Sequence, residues 1–340
     1  NAENVDLLNG RIQANQASVS TAKDLNIVGG QISADQSIQL NVGGDFNLNT
    51  TTLSSEHQIG QSYFSQTGID RVAGLYVNGA LSTQNTDTEN LSTTISVRVG
   101  GNTQMKAAEI ANSNGSTVIQ TAGDVDVGTV STGRTTHIQP DAQNFNHSSY
   151  RTDAGSQIAG QGDIYLTGQN IQLTGSGISS VSGTAVLSAQ DNLTISEGRT
   201  EQKVEARNIE TGGSAFSKKT SDSYFKTQRN EAVASSIEGN KVILNGNNVS
   251  IRGSNVISDD LTQIQAKENI SITAAENQYT KVSESTVKKS GFTGSLSDGV
   301  ASVGYGKSNI KQDHKSQATS LTQSVVGSVN GNINIVAGED

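Results

Sequence analysis

No cysteine and no tryptophan occur among the 340 residues, and proline occurs once. The first absence excludes a disulfide framework and any thiolate metal site. Aromatics make up 4 % and hydrophobic residues 32 % of the chain, against roughly 45–50 % apolar residues in an ordinary compact domain. That supply suits a thin core filled by one or two inward side chains per strand, not a thick globular one. No stretch approaches the ~20 apolar residues of a membrane-spanning helix. Basic charge is scarce too: 23 Lys and Arg face 32 Asp and Glu, for a net charge of −9 and a pI near 5.0. Such a chain repels phosphate, so nucleic acid is not an expected partner. Spread over this length, the charge is too small to enforce disorder.

Catalytic signatures are missing as well. The four histidines, His57, His137, His147 and His314, stand at no metal-ligand spacing in the sequence. There is no Gly-x-Ser-x-Gly nucleophile elbow and no calcium-binding Gly-Gly-x-Gly-x-Asp nonapeptide. Asp124 and Asp126, placed on one strand face, and the adjacent Asp259 and Asp260 are the paired carboxylates, and they read as ordinary solvent-facing surface. The chain is expected not to be an enzyme, with no catalytic, cofactor-binding or metal-binding residue and no cofactor.

What is present is repetition. Asp24-Leu25-Asn26-Ile27 returns as Asp45-Phe46-Asn47-Leu48, Asn192-Leu193-Thr194-Ile195, Asn269-Ile270-Ser271-Ile272 and Asn332-Ile333-Asn334-Ile335. Gly10 to Ala14 aligns with Gly30 to Ala34, and Val19 with Leu40, so the early period is 20 or 21 residues. Ile164 to Val186 and Ile171 to Leu193 each span 22. A period near 20 without a leucine ladder means stacked coils of short strands. Within each copy apolar and polar residues alternate, so Leu25 and Ile27 face one side and Asn26 the other. The leading Asp or Asn suits a turn, where its side chain bonds nearby backbone. The pattern predicts an all-β fold, a right-handed parallel β-helix of 20–22 residues per coil, the hand following the usual crossover preference. About ten coils would make a rod of roughly 50 Å. The chain is expected to be a single β-helix segment over 1–340, and the lack of a clear cap at either end predicts a piece of a longer protein.

Three stretches break the rhythm, at about 53–98, 197–238 and 276–329, and their alternation around Gly-rich turns predicts β-hairpins extruded from the coils. Nine aromatics fall in them, among them Tyr76, Tyr224, Phe225, Phe292 and Tyr305. Between 277 and 317 six Lys face three acids, Glu284, Asp298 and Asp313. The other long insert carries Lys218, Lys219, Lys226 and Arg229, expected near its tip. Exposed aromatics beside basic residues mark a candidate interaction surface, comprising Lys218, Lys219, Tyr224, Phe225, Lys288, Lys289, Phe292 and Tyr305. The plainer reading is that the rings pack the hairpins onto the coil flank and the lysines keep exposed edges soluble.

Phrases such as Gly162-Asp163-Ile164-Tyr165-Leu166, Ala266 to Glu276 and Val329 to Asp340 resemble the haemagglutinin repeats of the filamentous haemagglutinin family, the two-partner-secretion exoproteins of Gram-negative bacteria. The Lys- and Ser-rich inserts are most similar to the second repeat region of contact-dependent growth inhibition proteins. The resemblance implies a secreted or cell-surface rod, a dedicated outer-membrane transporter acting on the parent chain, and a target-cell envelope or receptor as partner. It further implies a part in carrying a C-terminal toxin across the target cell's outer membrane, with residence in the periplasm or that membrane during delivery. The alternative is an adhesin module whose hairpins bind a surface glycan or protein.

Overall fold

The computed structural model describes residues 2–78, 94–113, 115–297 and 299–338, and all regular structure among them is strand. Short strands stack in parallel, in register, into a solenoid with three sides. One side is traced by Val5, Leu25, Phe46, Thr103, Val125, Ile171, Leu193, Val249 and Ile270, each directly above the last. These nine rungs give a stack of about 40 Å at ~4.8 Å per coil. Val19 stands against Leu40, and a one-residue slip after Ala14 absorbs the change from period 20 to 21.

Alternation decides which side chains enter. Leu25, Ile27, Phe46 and Leu48 are wholly buried, while the Asn between them turns outward. Ile32, Leu75, Ile110, Ile158, Ile178 and Ile237 line the second side, and Leu40, Val97, Ile119, Leu166, Leu187 and Leu244 the third. The core is one narrow column, as the low apolar content requires.

The recurring Asp or Asn explains the turns. The backbone N–H of Asp45 donates to Asp24 Oδ1 (2.9 Å), Asn102 N–H to Asp45 Oδ1 (2.7 Å) and Asp124 N–H to Asn102 Oδ1 (2.9 Å). Asn170 N–H in turn donates to Asp124 Oδ1 (3.2 Å), and Asn192 N–H to Asn170 Oδ1 (3.2 Å). Asp124 is therefore a rung in a turn ladder and precedes the strand. Only Asp126 lies on the strand, so the two carboxylates do not share a strand face.

From Gly29 onward the corner between the first and second sides alternates in kind, the earlier corner at Asn9 (φ 54°) being plain as well. In some coils it is a single residue in left-handed geometry: Gly29 (φ 59°), Ala107 (φ 47°), Gly175 (φ 53°) and Gly253 (φ 53°). In the coils between them the chain leaves through a hairpin, at 51–71, 129–155, 198–233 and 275–322. Buried serines follow this corner in successive coils, after hairpins and plain corners alike. Ser156 N–H donates to Ser176 Oγ (3.0 Å), Ser176 N–H to Ser235 Oγ (3.1 Å) and Ser235 N–H to Ser254 Oγ (3.3 Å), so buried amides keep partners.

The insert positions differ from expectation in three places. Of the span 53–98, only its start is hairpin; Gly74–Val77 and Thr94–Val99 are coil strands, and 79–93 lie outside the described residues. Tyr76 is accordingly a coil residue. The hairpin at 129–155 lies in none of the three stretches. In the last stretch, Val325–Ser328 belongs to the coils, and Asp298 lies outside the described residues.

Gly175 shows how tight a plain corner is. A Cβ there would lie 2.9 Å from Gly198 Cα, at the root of the third hairpin, in a backbone conformation that L side chains resist. Gly175→Ala is expected to cost about 2 kcal/mol or more in urea unfolding. Gly60→Ala, with φ 60° but open space around it, should cost about half as much. Equal losses would mean that the close approach at the corner contributes nothing.

Candidate interaction surface

The four hairpins pair side by side into one antiparallel sheet, a fin standing off the solenoid. In order its strands are Thr51–Ile59, Ser62–Arg71, the 129–138 part of Val125–Ile138, Phe145–Gly155, Gly198–Ser214, Ser217–Val233, Ala275–Ser297 and Val300–Thr322. A hairpin is two strands wide, and two coils rise by two strand spacings, each ~4.8 Å. One hairpin on every second coil therefore tiles without gap or overlap. The strands lengthen from 9 residues at Thr51–Ile59 to 23 at Val300–Thr322, so the fin widens along the stack.

Its root is clamped electrostatically. The Glu197 side chain, 1 % exposed, accepts from Arg199 Nη2 (2.5 Å) and Arg252 Nε (3.0 Å). Arg199 Nη1 also donates to the Glu276 carbonyl (2.7 Å), tying the third hairpin to the fourth. Asp153 Oδ2 accepts the Arg199 backbone N–H (2.9 Å), tying the second to the third.

Residues directly opposite in neighbouring strands project from the same face. Phe145, Arg207, Tyr224, Glu284 and Asp313 form one such row, and Asn146, Ala206, Phe225, Ser283 and His314 the row on the reverse face. The eight sequence-derived candidates are divided accordingly. Lys218, Tyr224, Lys288, Phe292 and Tyr305 share one face; Lys219, Phe225 and Lys289 share the other. Tyr224 and Phe225 also sit about 20 Å back from the tip, by strand rise, with Lys226 and Arg229 still nearer the root. The structure thus does not gather the eight into one site.

The mid-strand candidates are engaged within the fin. Tyr224 Oη donates to Glu205 Oε1 (2.9 Å), and its own ionisation is pushed up to about 12 by burial and by that carboxylate. Lys203, 2.9 Å away, together with the Tyr224 hydroxyl holds Glu205 below the usual carboxylate range. Arg207 pairs in two-pronged fashion with Asp222 (3.1 and 2.8 Å). The charges of this patch are spent on each other.

The tip is different. Lys219 lies directly opposite Lys289, and Lys218 and Lys307 flank Ser290. None of these four, nor Lys288, joins a described ion pair. Like charges opposite one another oppose sheet pairing, so the tip holds uncompensated positive charge on an acidic chain. Phe292 and Tyr305 meet edge to face at 5.5 Å and remain more than half exposed, as does Phe216 in the neighbouring turn. Phe216 and Lys307 fall among the aromatics and lysines of the inserts but not among the eight candidates, although period-2 alternation through Val300–Thr322 places Tyr305 and Lys307 together. The rings do not pack onto the coil flank, because both faces of the fin meet solvent.

Residues 1–62 and 216–340 match a family model described as hemagglutinin repeat. The chain is 24 % identical to the tRNA nuclease CdiA-2 of Burkholderia pseudomallei across 96 % of its own length and 11 % of that protein's. It is 27 % identical to a tRNA nuclease CdiA of Escherichia coli over 45 % of this chain and 5 % of the relative. With the 16S rRNA endonuclease CdiA of Enterobacter cloacae it shares 30 % over 54 % of this chain and 6 % of the relative. The chain therefore spans about a tenth or less of the length of these relatives. No solved structure matches it.

Proposed function

The chain belongs to the hemagglutinin-repeat family, and from that premise we propose that it is a right-handed parallel β-helix serving as a rod in a secreted bacterial exoprotein. In this reading it is one helix segment of a larger chain, exported through an outer-membrane transporter of two-partner secretion and displayed at a Gram-negative cell surface. It supports delivery of a C-terminal toxin across the outer membrane of a target cell, passing through the periplasm or that membrane as it acts. The hand rests on the strong right-handed preference of parallel crossovers. The observation that carries the delivery reading is coverage. Nearly all of this chain aligns with about a tenth of a protein named as a tRNA nuclease, which leaves ample length elsewhere for the nuclease itself. The part played here is structural, and no catalytic residue is assigned.

A second reading is favoured by the fin tip. Exposed Phe216, Phe292 and Tyr305 beside unpaired lysines suit an adhesin that holds a surface glycan or protein. Lys218, Lys288 and Lys307, on the face that carries Phe292 and Tyr305, would then be the binding set, with Lys219 and Lys289 on the reverse face outside it.

Both readings are tested in the parent protein by replacing 274–323 with a one-residue glycine corner of the kind at Gly253. Attachment to target cells and toxin uptake are scored separately in mixed culture. Delivery predicts attachment kept and uptake reduced at least tenfold. Attachment lost would favour the adhesin, and both retained would sink both readings of the fin.

A further inference from the structure

We propose that His137 and His147 form a two-imidazole site for a borderline divalent cation such as Zn²⁺ on the second hairpin. They are ten residues apart, a separation that carries no ligand signal in the sequence. The hairpin turns between them, and the register sets them directly opposite one another on one face.

Their geometry suits a shared ion. The ring centroids are 5.6 Å apart and the planes inclined by 56°, so the rings do not stack. An imidazole bound at a Zn–N distance near 2.0–2.1 Å holds its centroid roughly 3.2 Å from the metal, so two at a near-tetrahedral angle lie roughly 5–5.5 Å apart. The observed separation lies just beyond that range and needs no backbone movement.

The protonation pattern agrees. His137 Nε2 is 3.1 Å from Gln139 Oε1, and when Nε2 donates to that oxygen the lone pair stands on Nδ1. That Nδ1 is buried and has no hydrogen-bond partner. His147 is held below the usual histidine range by burial first, then by the charges of Lys203 and His137, with Glu205 opposing. A neutral imidazole is the form that binds metal.

The surroundings frame the rings without using up the site. His137 is sandwiched between Tyr63 (5.2 Å, 25°) and Phe145 (6.1 Å, 26°). Glu205 stands opposite His147 on the next strand, with Lys226 beyond it, and Gln58 opposite Tyr63. Lys203 is the lysine whose charge acts on His147, and that charge is paired with Glu205. Glu205 also accepts from Tyr224, so it acts as a fixed counter-charge. Among the described residues no cluster of three or more His, Asp or Glu side chains converges. The protein therefore supplies two ligands, a turn of the imidazole rings opens the buried Nδ1 to the waters that fill the remaining positions, and affinity should be micromolar, stronger for Cu²⁺ than for Zn²⁺.

The inference is independent of the delivery and adhesin readings. Its test is calorimetric titration of the 340-residue chain with ZnCl₂ at pH 7.5, with imidazole C–H resonances followed by NMR. One ion should bind per chain and shift the signals of His137 and His147. His137→Asn or His147→Asn should weaken binding at least tenfold, while His57→Asn and His314→Asn leave it unchanged. Binding should fade as pH drops through the histidine range, because protons compete for the same lone pairs. No measurable binding, or shifts confined to His57 or His314, would overturn the site. So would affinity retained in both single variants. The NMR arm reads the unsubstituted protein, so it stands even if a variant folds poorly.

Discussion

Deleting residues 236–254 is expected to break the fin while leaving the solenoid standing. The segment is one whole coil, because Ser236 lies in register with Asn255 and the new junction Ser235–Asn255 rejoins the same side. The loss brings the third and fourth hairpins onto successive coils. Their roots are then one strand spacing apart, ~4.8 Å, where each two-stranded hairpin needs twice that. Ser217–Val233 and Ala275–Ser297, now neighbours over the run from Ser217–Gly291 to Asn230–Gln278, would have to occupy one position. Deleting 177–254 makes the opposite case. Gly177, Ser236 and Asn255 share one register line, so this larger excision removes two coils and the third hairpin together. Alternation is preserved, and the second hairpin meets the fourth. Amide exchange through 278–284 should accelerate about a hundredfold in the one-coil deletion and stay near the parental rate in the two-coil deletion, where Phe145–Gly155 is long enough to cover that run. Exchange through Ile171–Thr174 should stay slow in the one-coil deletion, whose coils there are unaltered. Similar exchange in the fin of both variants would show that coil spacing does not govern the sheet.

That rule was only half legible in the sequence, for a physical reason. The coils announce themselves because each rung repeats the same demand: an Asp or Asn turn, then two inward apolar residues. Alignment of Val19 with Leu40, and of Leu25 with Phe46, is the register itself. The longest hairpins show because their Lys- and Ser-rich strands feed no side chains into the column and so lose the apolar beat. The second hairpin does not show. Val125–Ile138 runs from buried coil strand into fin as one unbroken strand, so no turn marks the point at which its role changes. A turn signal was present in Pro140-Asp141, the sole proline of the chain placed where its fixed φ favours a turn. Asp141 Oδ1 accepts the backbone N–H groups of Gln143 and Asn144, closing that loop. Once the turn is placed, His137 and His147 become partners. Without it they are scattered histidines. The candidate set at the tip failed differently: Lys218 and Lys219, adjacent in sequence, must face opposite sides of any strand.

Phe46→Ala should be the most damaging single substitution in the coils and should act locally. The ring is completely buried and is one of the largest side chains in the column. It stands between Leu25 in the coil before and Thr103 in the coil after. Thr103 cannot swell into the space, because its hydroxyl is held to Thr121 at 2.7 Å, and the stacked backbones above and below cannot collapse sideways. Little relaxation leaves most of the cavity open, so a cost of about 3–5 kcal/mol is expected. In a globular core such a loss would be felt by the whole domain. In a stack each coil touches only its neighbours, so the penalty should stay near its source. Exchange should rise at Leu25–Val28, Phe46–Asn49 and Thr103–Lys106, and remain unchanged at Asn192–Ser196, several coils away. A uniform rise along the chain would mean that the column unfolds as one unit and that the fin couples distant coils. The local outcome would show how a chain with so few apolar residues keeps a long core, with each coil secured by its own pair of inward side chains and its immediate neighbours.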